Sequence, residues 1–221
     1  MQVKKTYTDP VRALLAVMFA FLPLVQAQDS PLLRSVEPRY DKYSEDLATD
    51  FDAASASVTI TVLANGKPFA LDNSSVPLPM AVVMALKEYE FRPQGTIPHG
   101  RAAIDGSTYQ VTLNVPIRQR KNPVRADAIS VNPGIALASR IQFVQAVYPE
   151  YARHNRIQGR ITFEAVITKQ GDIESLKTSN GPFVLIEAAY DAVKQWRYRP
   201  ITLKGEPVEV LTDIQVNFSL N

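Results

Sequence analysis

The side chains that could carry acid–base or metal chemistry are few and scattered along this sequence. The two histidines are His99 and His154, and neither has carboxylates at the spacing of metal ligands. A Ser-His-Asp site would need one of them, and no nucleophile-elbow pattern such as G-x-S-x-G occurs. The chain has no cysteine, which excludes a thiol nucleophile and thiolate metal sites. These features predict no catalytic residues, no metal site and no cofactor.

Two other polar clusters invite a functional interpretation but fit structural roles. Residues 72–75 read Asp-Asn-Ser-Ser, a run typical of a turn. Trp196 is followed by Arg-Tyr-Arg, which could stack on a ligand. However, Trp196 continues the helical spacing of Ile186 and Val193, which favours a core tryptophan that anchors a helix to a sheet.

The N-terminus has the pattern of an export signal. Lys4, Lys5 and Arg12 precede an apolar run over residues 13–25, and Val25-Gln26-Ala27 offers small side chains at the positions that a signal peptidase reads. The run is shorter than the roughly 20 residues that cross a membrane, so we expect a signal peptide cleaved after residue 27. An uncleaved inner-membrane anchor at residues 13–25 is the alternative.

Cleavage would change the charge of the chain. The signal holds 3 basic and 1 acidic residues, so the 24 basic and 22 acidic residues of the chain would become 21 of each. A neutral mature chain indicates no nucleic-acid partner.

The elements that must position the polar side chains come in two similar sets. In the first, residues 58–62 (VTITV) alternate as in a half-buried strand, and Asn65-Gly66 is a hairpin turn. A helix follows over about 79–89, and apolar residues alternate through a last strand over 109–117.

The second set has the same order. Residues 161–167 alternate, Gln170-Gly171 makes the turn, and a strand that alternates poorly, near 173–178, suggests a bulge. A helix is predicted over 183–196, and a final strand over 208–220 can bury one face along its whole length.

The two sets align as an internal repeat of about 60 residues. The alignment joins these pairs: Leu86 with Val193, Lys87 with Lys194, Tyr89 with Trp196, Phe91 with Tyr198, Arg92 with Arg199, Pro93 with Pro200 and Asn114 with Asn217. The order strand–strand–helix–strand predicts an α+β fold of two small modules. Each would be a three-stranded antiparallel sheet with helices on one face, in a split arrangement with a right-handed crossover. The final strand should then be an edge of its sheet.

We therefore divide the chain into five parts. They are a signal peptide (1–27), a leader (28–50), a first module (51–119), a linker (120–140) and a second module (141–221). The linker contains the basic run RQRKNPVR, which we interpret as a solvated connector and not as a patch for an acidic partner.

The second module resembles the C-terminal domain of TonB energy transducers. The resemblance rests on YPEYARHNRIQGRITFEAVITKQGDIESL, AAYDAVKQWRYRP and GEPVEVLTDIQVNFSL, over roughly residues 140–221. The first module resembles the same domain only in its later elements, as a degenerate copy, because no Tyr-Pro start precedes Phe51. The sequence lacks a convincing N-terminal membrane helix and a long proline-rich spacer, in which it departs from the family.

The resemblance implies a non-enzymatic periplasmic docking protein that binds an extended segment of an outer-membrane transporter by strand addition. An inner-membrane motor complex is a further partner that the family implies. The strand segment that binds the partner would run from Ile214 to Leu220, with residues 145–149 (QAVYP) beside the bound segment. The partner-binding residues that follow are Ile214, Gln215, Val216, Asn217, Phe218, Ser219, Gln145, Tyr148 and Pro149.

The two modules should differ in their capacity to dock a partner. Pro116 falls in the final strand of the first module and removes a backbone donor, whereas its counterpart Ser219 keeps its N–H. We therefore expect the second module to bind and the first to be a spacer or to pack against it. Two alternatives stay open: an anchored energy transducer, and an envelope structural protein that associates with itself, for instance as a homodimer.

Overall fold

The structure, a computed structural model, describes residues 31–40, 51–94, 108–120 and 128–220, and its elements lie in the unit Leu32–Asn221. The strands are β1 (Leu32–Arg34), β2 (Phe51–Leu63), β3 (Pro68–Ser74), β4 (Leu78–Pro79), β5 (Glu90–Phe91), β6 (Thr108–Arg120), β7 (Ile129–Ser130), β8 (Arg140–Gln142), β9 (Gly159–Ile167), β10 (Ile173–Thr178), β11 (Gly181–Pro182), β12 (Arg197–Tyr198), β13 (Thr202–Leu203), β14 (Glu206–Pro207) and β15 (Val210–Phe218). The helices are α1 (Met80–Lys87), α2 (Pro133–Ser139), α3 (Glu150–His154) and α4 (Phe183–Val193).

The N-terminal sheet has the strand order β11-β3-β2-β6, with β2 antiparallel to both long neighbours. The apolar residues of the predicted alternation, Val58, Ile60 and Val62, are fully buried. Thr59 points to the other face, where its hydroxyl lies 2.9 Å from that of Thr112. The first predicted strand is confirmed, because alternation is what a sheet with one covered face requires.

The C-terminal sheet has the order β4-β10-β9-β15-β7. Strand β9 lies between β10 and β15 and is antiparallel to both, so the helical crossover through α4 joins strands on either side of β9. The expected bulge in β10 is confirmed by a register shift between Ile173 and Ser175. The helices end earlier than predicted, at Lys87 and Val193, because the chain turns at each C-terminus to begin a short strand.

The α+β class is confirmed, and each sheet contains the three long strands expected. Each also gains a two-residue strand from the other half of the chain. Leu78–Pro79 pairs with β10, and Gly181–Pro182 pairs with β3, so the inner edge of each sheet is lined by the residues that precede the other half's helix. Segments of two residues carry no periodicity, which is why the sequence does not predict them.

A glycine turn holds the same position in both halves. Gly66 and Gly171 have positive φ angles of +84° and +88°. The Gly66 carbonyl accepts a hydrogen bond from the Phe91 N–H, and the Gly171 carbonyl accepts one from the Tyr198 N–H, at 3.0 and 2.9 Å. A Cβ at these glycines would lie 2.1 Å from the Phe91 oxygen and 1.9 Å from the Tyr198 oxygen. Each turn is therefore locked against the strand that follows the helix.

The starts of the two halves also correspond. Strand β1 pairs with β5, and β8 pairs with β12, each antiparallel. After β1, Val36 and Tyr40 pack against the core, and after β8, Val144 and Tyr148 do the same with the same spacing of four residues. The first half has no Tyr-Pro signature at this place, because Asp41, and not proline, follows Tyr40.

The connecting segments differ from their predicted structure. The leader contains β1, and the linker contains β7 and α2, so both segments contribute structure to the sheets. Residues 72–74 are the end of β3, and the turn predicted over 72–75 is therefore wrong: the Asp72 carboxylate accepts a hydrogen bond from the Thr61 hydroxyl across the sheet, at 2.7 Å. The predicted signal peptide, with the apolar run over 13–25, lies outside the described residues. No helix among those described is long and apolar enough to span a membrane.

Candidate docking edge

The outer side of β15 is the candidate site, and backbone alternation decides which residues it presents. Strand β7 pairs in parallel with the first two residues of β15. The Ile129 N–H donates to the Glu209 carbonyl at 2.9 Å, and the Val131 N–H donates to the Leu211 carbonyl at 3.0 Å. Because backbone groups alternate between the two sides of a strand, odd-numbered residues after Leu211 direct their N–H and C=O to this side.

Beyond Leu211, no strand in the described part of the chain pairs with this side of β15. The outward residues are Asp213, Gln215 and Asn217, and their side chains are exposed. We call the outward backbone groups of these three residues the docking edge. It provides alternate unpaired donors and acceptors, the template that β-strand addition needs.

The six predicted partner-binding residues of the final strand divide into two groups. Gln215 and Asn217 belong to the docking edge, and Ser219 follows β15 with an exposed side chain. In contrast, Ile214, Val216 and Phe218 direct their backbone groups towards β9, where their partners are Phe163, Ile161 and Gly159. Asp213 is a residue that the sequence reasoning missed, although its parity with Gln215 could have identified it.

The predicted residues Gln145, Tyr148 and Pro149 belong to an extended segment beside β15. We call residues 143–148 the ridge. Along it Val144, Ala146 and Tyr148 pack against the core, while the residues between them, such as Gln145, are exposed. Pro149 caps the N-terminus of α3.

Tyr148 fixes the end of the ridge to the end of β15. Its ring meets that of Phe218 edge-on, with centroids 5.4 Å apart, and its hydroxyl donates to the Ile157 carbonyl at 2.7 Å. The structure therefore brings Tyr148 to the final strand, as a packing residue whose polar end is already bonded.

The corresponding outer edge of the N-terminal sheet is the outer side of β6, where two backbone donors are missing or already bonded. The Ser57 carbonyl bonds to the Ser75 N–H on the β3 side, so even-numbered residues of β6 face outward. Pro116 is one of these and has no N–H. The Arg118 N–H, which also points outward, donates to the Tyr40 hydroxyl at 3.1 Å. A partner strand paired with this side of β6 would therefore have no backbone donor at Pro116, and the Arg118 N–H would already be bonded.

The residues singled out for chemistry lie apart from this edge. Trp196 is 5% exposed and its indole N–H donates to the Val144 carbonyl at 2.8 Å, in agreement with a core role. Burial raises the pKa of Tyr198 to about 12, an effect that the Arg140 charge opposes in part. His154 is exposed at the end of α3, and His99 lies outside the described residues. Among the described side chains, no three metal-ligating groups come together.

The C-terminal part of the chain is similar to a known protein family. Residues 144–220 match the family model described as Gram-negative bacterial TonB protein C-terminal. The chain is also 35% identical, over 79 residues, to Protein TonB of Vibrio cholerae serotype O1, an alignment that covers 35% of this chain and 32% of that protein. The chain thus spans about a third of the length of this relative. No solved structure gives a significant match.

The segment that matches the family model includes β9, α4 and β15, and it does not extend to residues 51–119. A second, degenerate copy of the family domain in the N-terminal half is therefore not supported by these comparisons. The region that presents the docking edge therefore lies within residues 144–220, the part of the chain that is similar to the TonB C-terminal domain family.

Proposed function

We propose that this protein is a non-enzymatic docking protein of TonB type in the cell envelope. It binds an extended segment of an outer-membrane transporter, which adds as a strand to the docking edge. It acts in the periplasm after removal of residues 1–27. The observation that supports this proposal is the row of outward backbone groups at Asp213, Gln215 and Asn217 within the region of family similarity.

The energetics predict weak, reversible binding. Each residue of the docking edge offers one N–H and one C=O, so about six hydrogen bonds form, each worth about 1 kcal/mol net. Association costs at least ~4 kcal/mol, which leaves only about 2 kcal/mol from the main chain. Side-chain burial must supply the rest of the roughly 8 kcal/mol that a micromolar complex requires.

The test uses two matched proline variants of the full chain. Asn217→Pro removes an outward N–H from β15, while Asn114→Pro removes one from the aligned position on the outer side of β6. Neither change breaks a backbone hydrogen bond between paired strands, although Asn217→Pro also removes the hydrogen bond that the Arg160 side chain of β9 donates to the Asn217 side chain. Binding of synthetic peptides copied from the periplasmic N-terminal segments of outer-membrane transporters is measured by calorimetry. We expect micromolar affinity, a loss of about fivefold or more with Asn217→Pro, and no change with Asn114→Pro.

Equal binding by all three proteins would rule out strand addition at β15. The self-associating alternative has its own result: dimers that depend on concentration and vanish with Asn217→Pro, while no transporter peptide binds. Far-UV circular dichroism of the two proline variants is the control for folding, and we expect it to match that of the unchanged chain.

The place of the protein in the envelope is part of the proposal. A cleaved signal peptide gives a periplasmic protein whose N-terminus is Gln28, whereas an intact anchor over 13–25 gives an inner-membrane transducer that could contact a motor complex. Mass measurement of the purified envelope protein distinguishes the two. We expect a mature N-terminus at Gln28, and a mass that includes residues 1–27 would contradict this.

We further propose that the N-terminal half is a degenerate module of the same kind that does not dock a partner. The shared order of elements, the turns at Gly66 and Gly171, and the paired starts at Val36 and Val144 support this relation. The closed edge at Pro116 supports the loss of docking.

A further inference from the structure

An arginine–aromatic cluster lies at the start of the ridge. The Arg140 guanidinium carbon is 4.4 Å from the ring centroid of Phe143 and 4.4 Å from that of Trp196. The two rings are tilted, with centroids 5.2 Å apart. Arg140 belongs to β8 and precedes residues 144–220, so it lies outside the region of family similarity.

A second cluster of the same kind lies at the other end of the ridge. The Arg153 guanidinium carbon is 5.9 Å from the ring centroid of Tyr148, which in turn packs on Phe218. An arginine is thus placed against an aromatic ring at each end, a geometry that holds the charge in position without neutralising it.

The ridge runs along β15 in the same direction as the strand. At its start, Arg140 pairs with Tyr198, which bonds to the Gly171 turn that follows β9. That end of β9 pairs with Val210, the first residue of β15. At its end, Tyr148 contacts Phe218, the last residue of β15. With about 3.3 Å per residue, the ridge is roughly 16 Å long, close to the length of a strand paired with the docking edge.

Within the described residues, the arginines at the two ends of the ridge have no acidic partner, and two apolar side chains of the ridge are exposed. Neither Arg140 nor Arg153 forms an ion pair there, whereas the neighbouring Arg197 pairs with Asp172 at 2.7 Å. Phe143 is 56% exposed and Val147 79% exposed, although both are large apolar side chains. Exposed apolar groups between two unneutralised arginines fit a segment that is apolar in its middle and acidic at its ends.

We propose that the segment docked on β15 carries carboxylates that pair with Arg140 and Arg153, with apolar side chains between them that cover Phe143 and Val147. This inference rests on the proposed strand addition and names the chemistry of the partner: an extended polypeptide, apolar at alternate positions, with acidic residues at the two ends. The arginines select among segments that the backbone alone would accept equally.

Three capped heptapeptides test the proposal with the full chain. They share the centre Thr-Leu-Thr-Leu-Thr and end at both termini in Glu, Gln or Lys. Trp196, the single tryptophan of the chain, reports binding by fluorescence, and calorimetry gives the dissociation constants. We expect the Glu peptide to bind about three- to tenfold more tightly than the Gln peptide, and the Lys peptide to bind most weakly. The differences should shrink in about 1 M salt, where the Debye length falls to about 3 Å.

Substitution of single arginines tests which of them causes the preference for the Glu peptide. Arg140→Gln and Arg153→Gln should each remove part of the advantage of the Glu peptide and leave the Gln peptide unchanged. Arg197→Gln, which alters the net charge equally at an arginine that is already paired, is the matched control and should change neither.

The outcomes separate this inference from the proposed function. If the three peptides bind equally well, and Asn217→Pro weakens all of them, strand addition stands and the selection of acidic ends is wrong. If no peptide binds, or if Asn217→Pro has no effect on the Gln peptide, strand addition fails and the inference fails with it.

Discussion

At the scale of single residues, Gly171 and Gly205 show how strongly a position can require glycine. Gly171 has a φ angle of +88° and its Cα lies against the backbone of Tyr198, while Gly205 has a similar φ of +91° with open space around it. The first position therefore needs glycine for two reasons, the backbone conformation and the close approach, and the second for only one.

The comparison of these glycines gives a prediction on stability. Gly205→Ala should cost about 1–2 kcal/mol of unfolding free energy, the strain of a left-handed conformation. Gly171→Ala should cost about 1–3 kcal/mol more, because its Cβ would displace β12. Urea unfolding of both variants measures the difference, and equal costs would mean that β12 moves away freely.

A second residue-scale prediction concerns alkaline pH. Burial raises the pKa of Tyr198 to about 12 from 10.0, with partial opposition from the Arg140 charge. The unfolded chain therefore loses this proton first, so stability from this group is complete below pH 10 and falls as the pH rises towards 12. Tyr198→Phe should reduce the decline in unfolding free energy between pH 9.5 and 11.5. An unchanged pH slope in the variant would assign the decline to other groups.

At the scale of elements, the two outer strands show how one backbone pattern gives two behaviours. β6 and β15 both run antiparallel to a central strand and both leave alternate backbone groups pointing outward. In β6 the outward set includes Pro116 and the occupied Arg118 N–H, which blunt the edge as natural edge strands often do. In β15 only the first two residues pair with another described strand on this side, β7, which leads into the helix α2 that also contacts β15.

Hydrogen exchange along β15 tests this description without any substitution. The amides of Asp213, Gln215 and Asn217 should exchange quickly, because they point to the unpaired side. Those of Thr212, Ile214 and Val216 should be protected by their bonds to β9. Residue-resolved exchange by NMR gives the pattern, and uniform protection along the strand would mean that the outer side is covered.

At the scale of the whole molecule, the two halves share their inner sheet edges. Besides the pairing of β4 with β10 and of β11 with β3, Lys87 of α1 forms an ion pair with Glu187 of α4. Because backbone ladders and a common core join the halves, neither sheet can lose its structure without exposing an edge of the other.

This coupling predicts that the halves unfold together. Ile60→Ala removes a fully buried side chain from the N-terminal sheet, at a cost of about 2–5 kcal/mol. Trp196 lies in the C-terminal half and is the single tryptophan, so its fluorescence reports that half alone. We expect the urea midpoint from fluorescence to fall as far as the midpoint from circular dichroism. An unchanged fluorescence midpoint would show that the halves unfold independently.

Prediction from the sequence succeeded where periodicity was long and failed where it was short. The alternation in residues 58–62 and 161–167 predicted two central strands, and both are buried as expected. The two-residue strands β4, β7 and β11 have no pattern of their own, since their pairing is decided by which edge the fold places beside them. For the same reason, the leader and the linker were predicted without strands.

The sequence by itself determined the fold class, the order of elements and the absence of a backbone donor at Pro116, because these depend on local residue types and spacing. Only the tertiary structure decided that Asp213, Gln215 and Asn217 face the unpaired side of β15 and that Arg140 and Arg153 stand at the two ends of the ridge. Which side of a strand is free depends on the register with its neighbours, and which charges lie together depends on how distant segments pack.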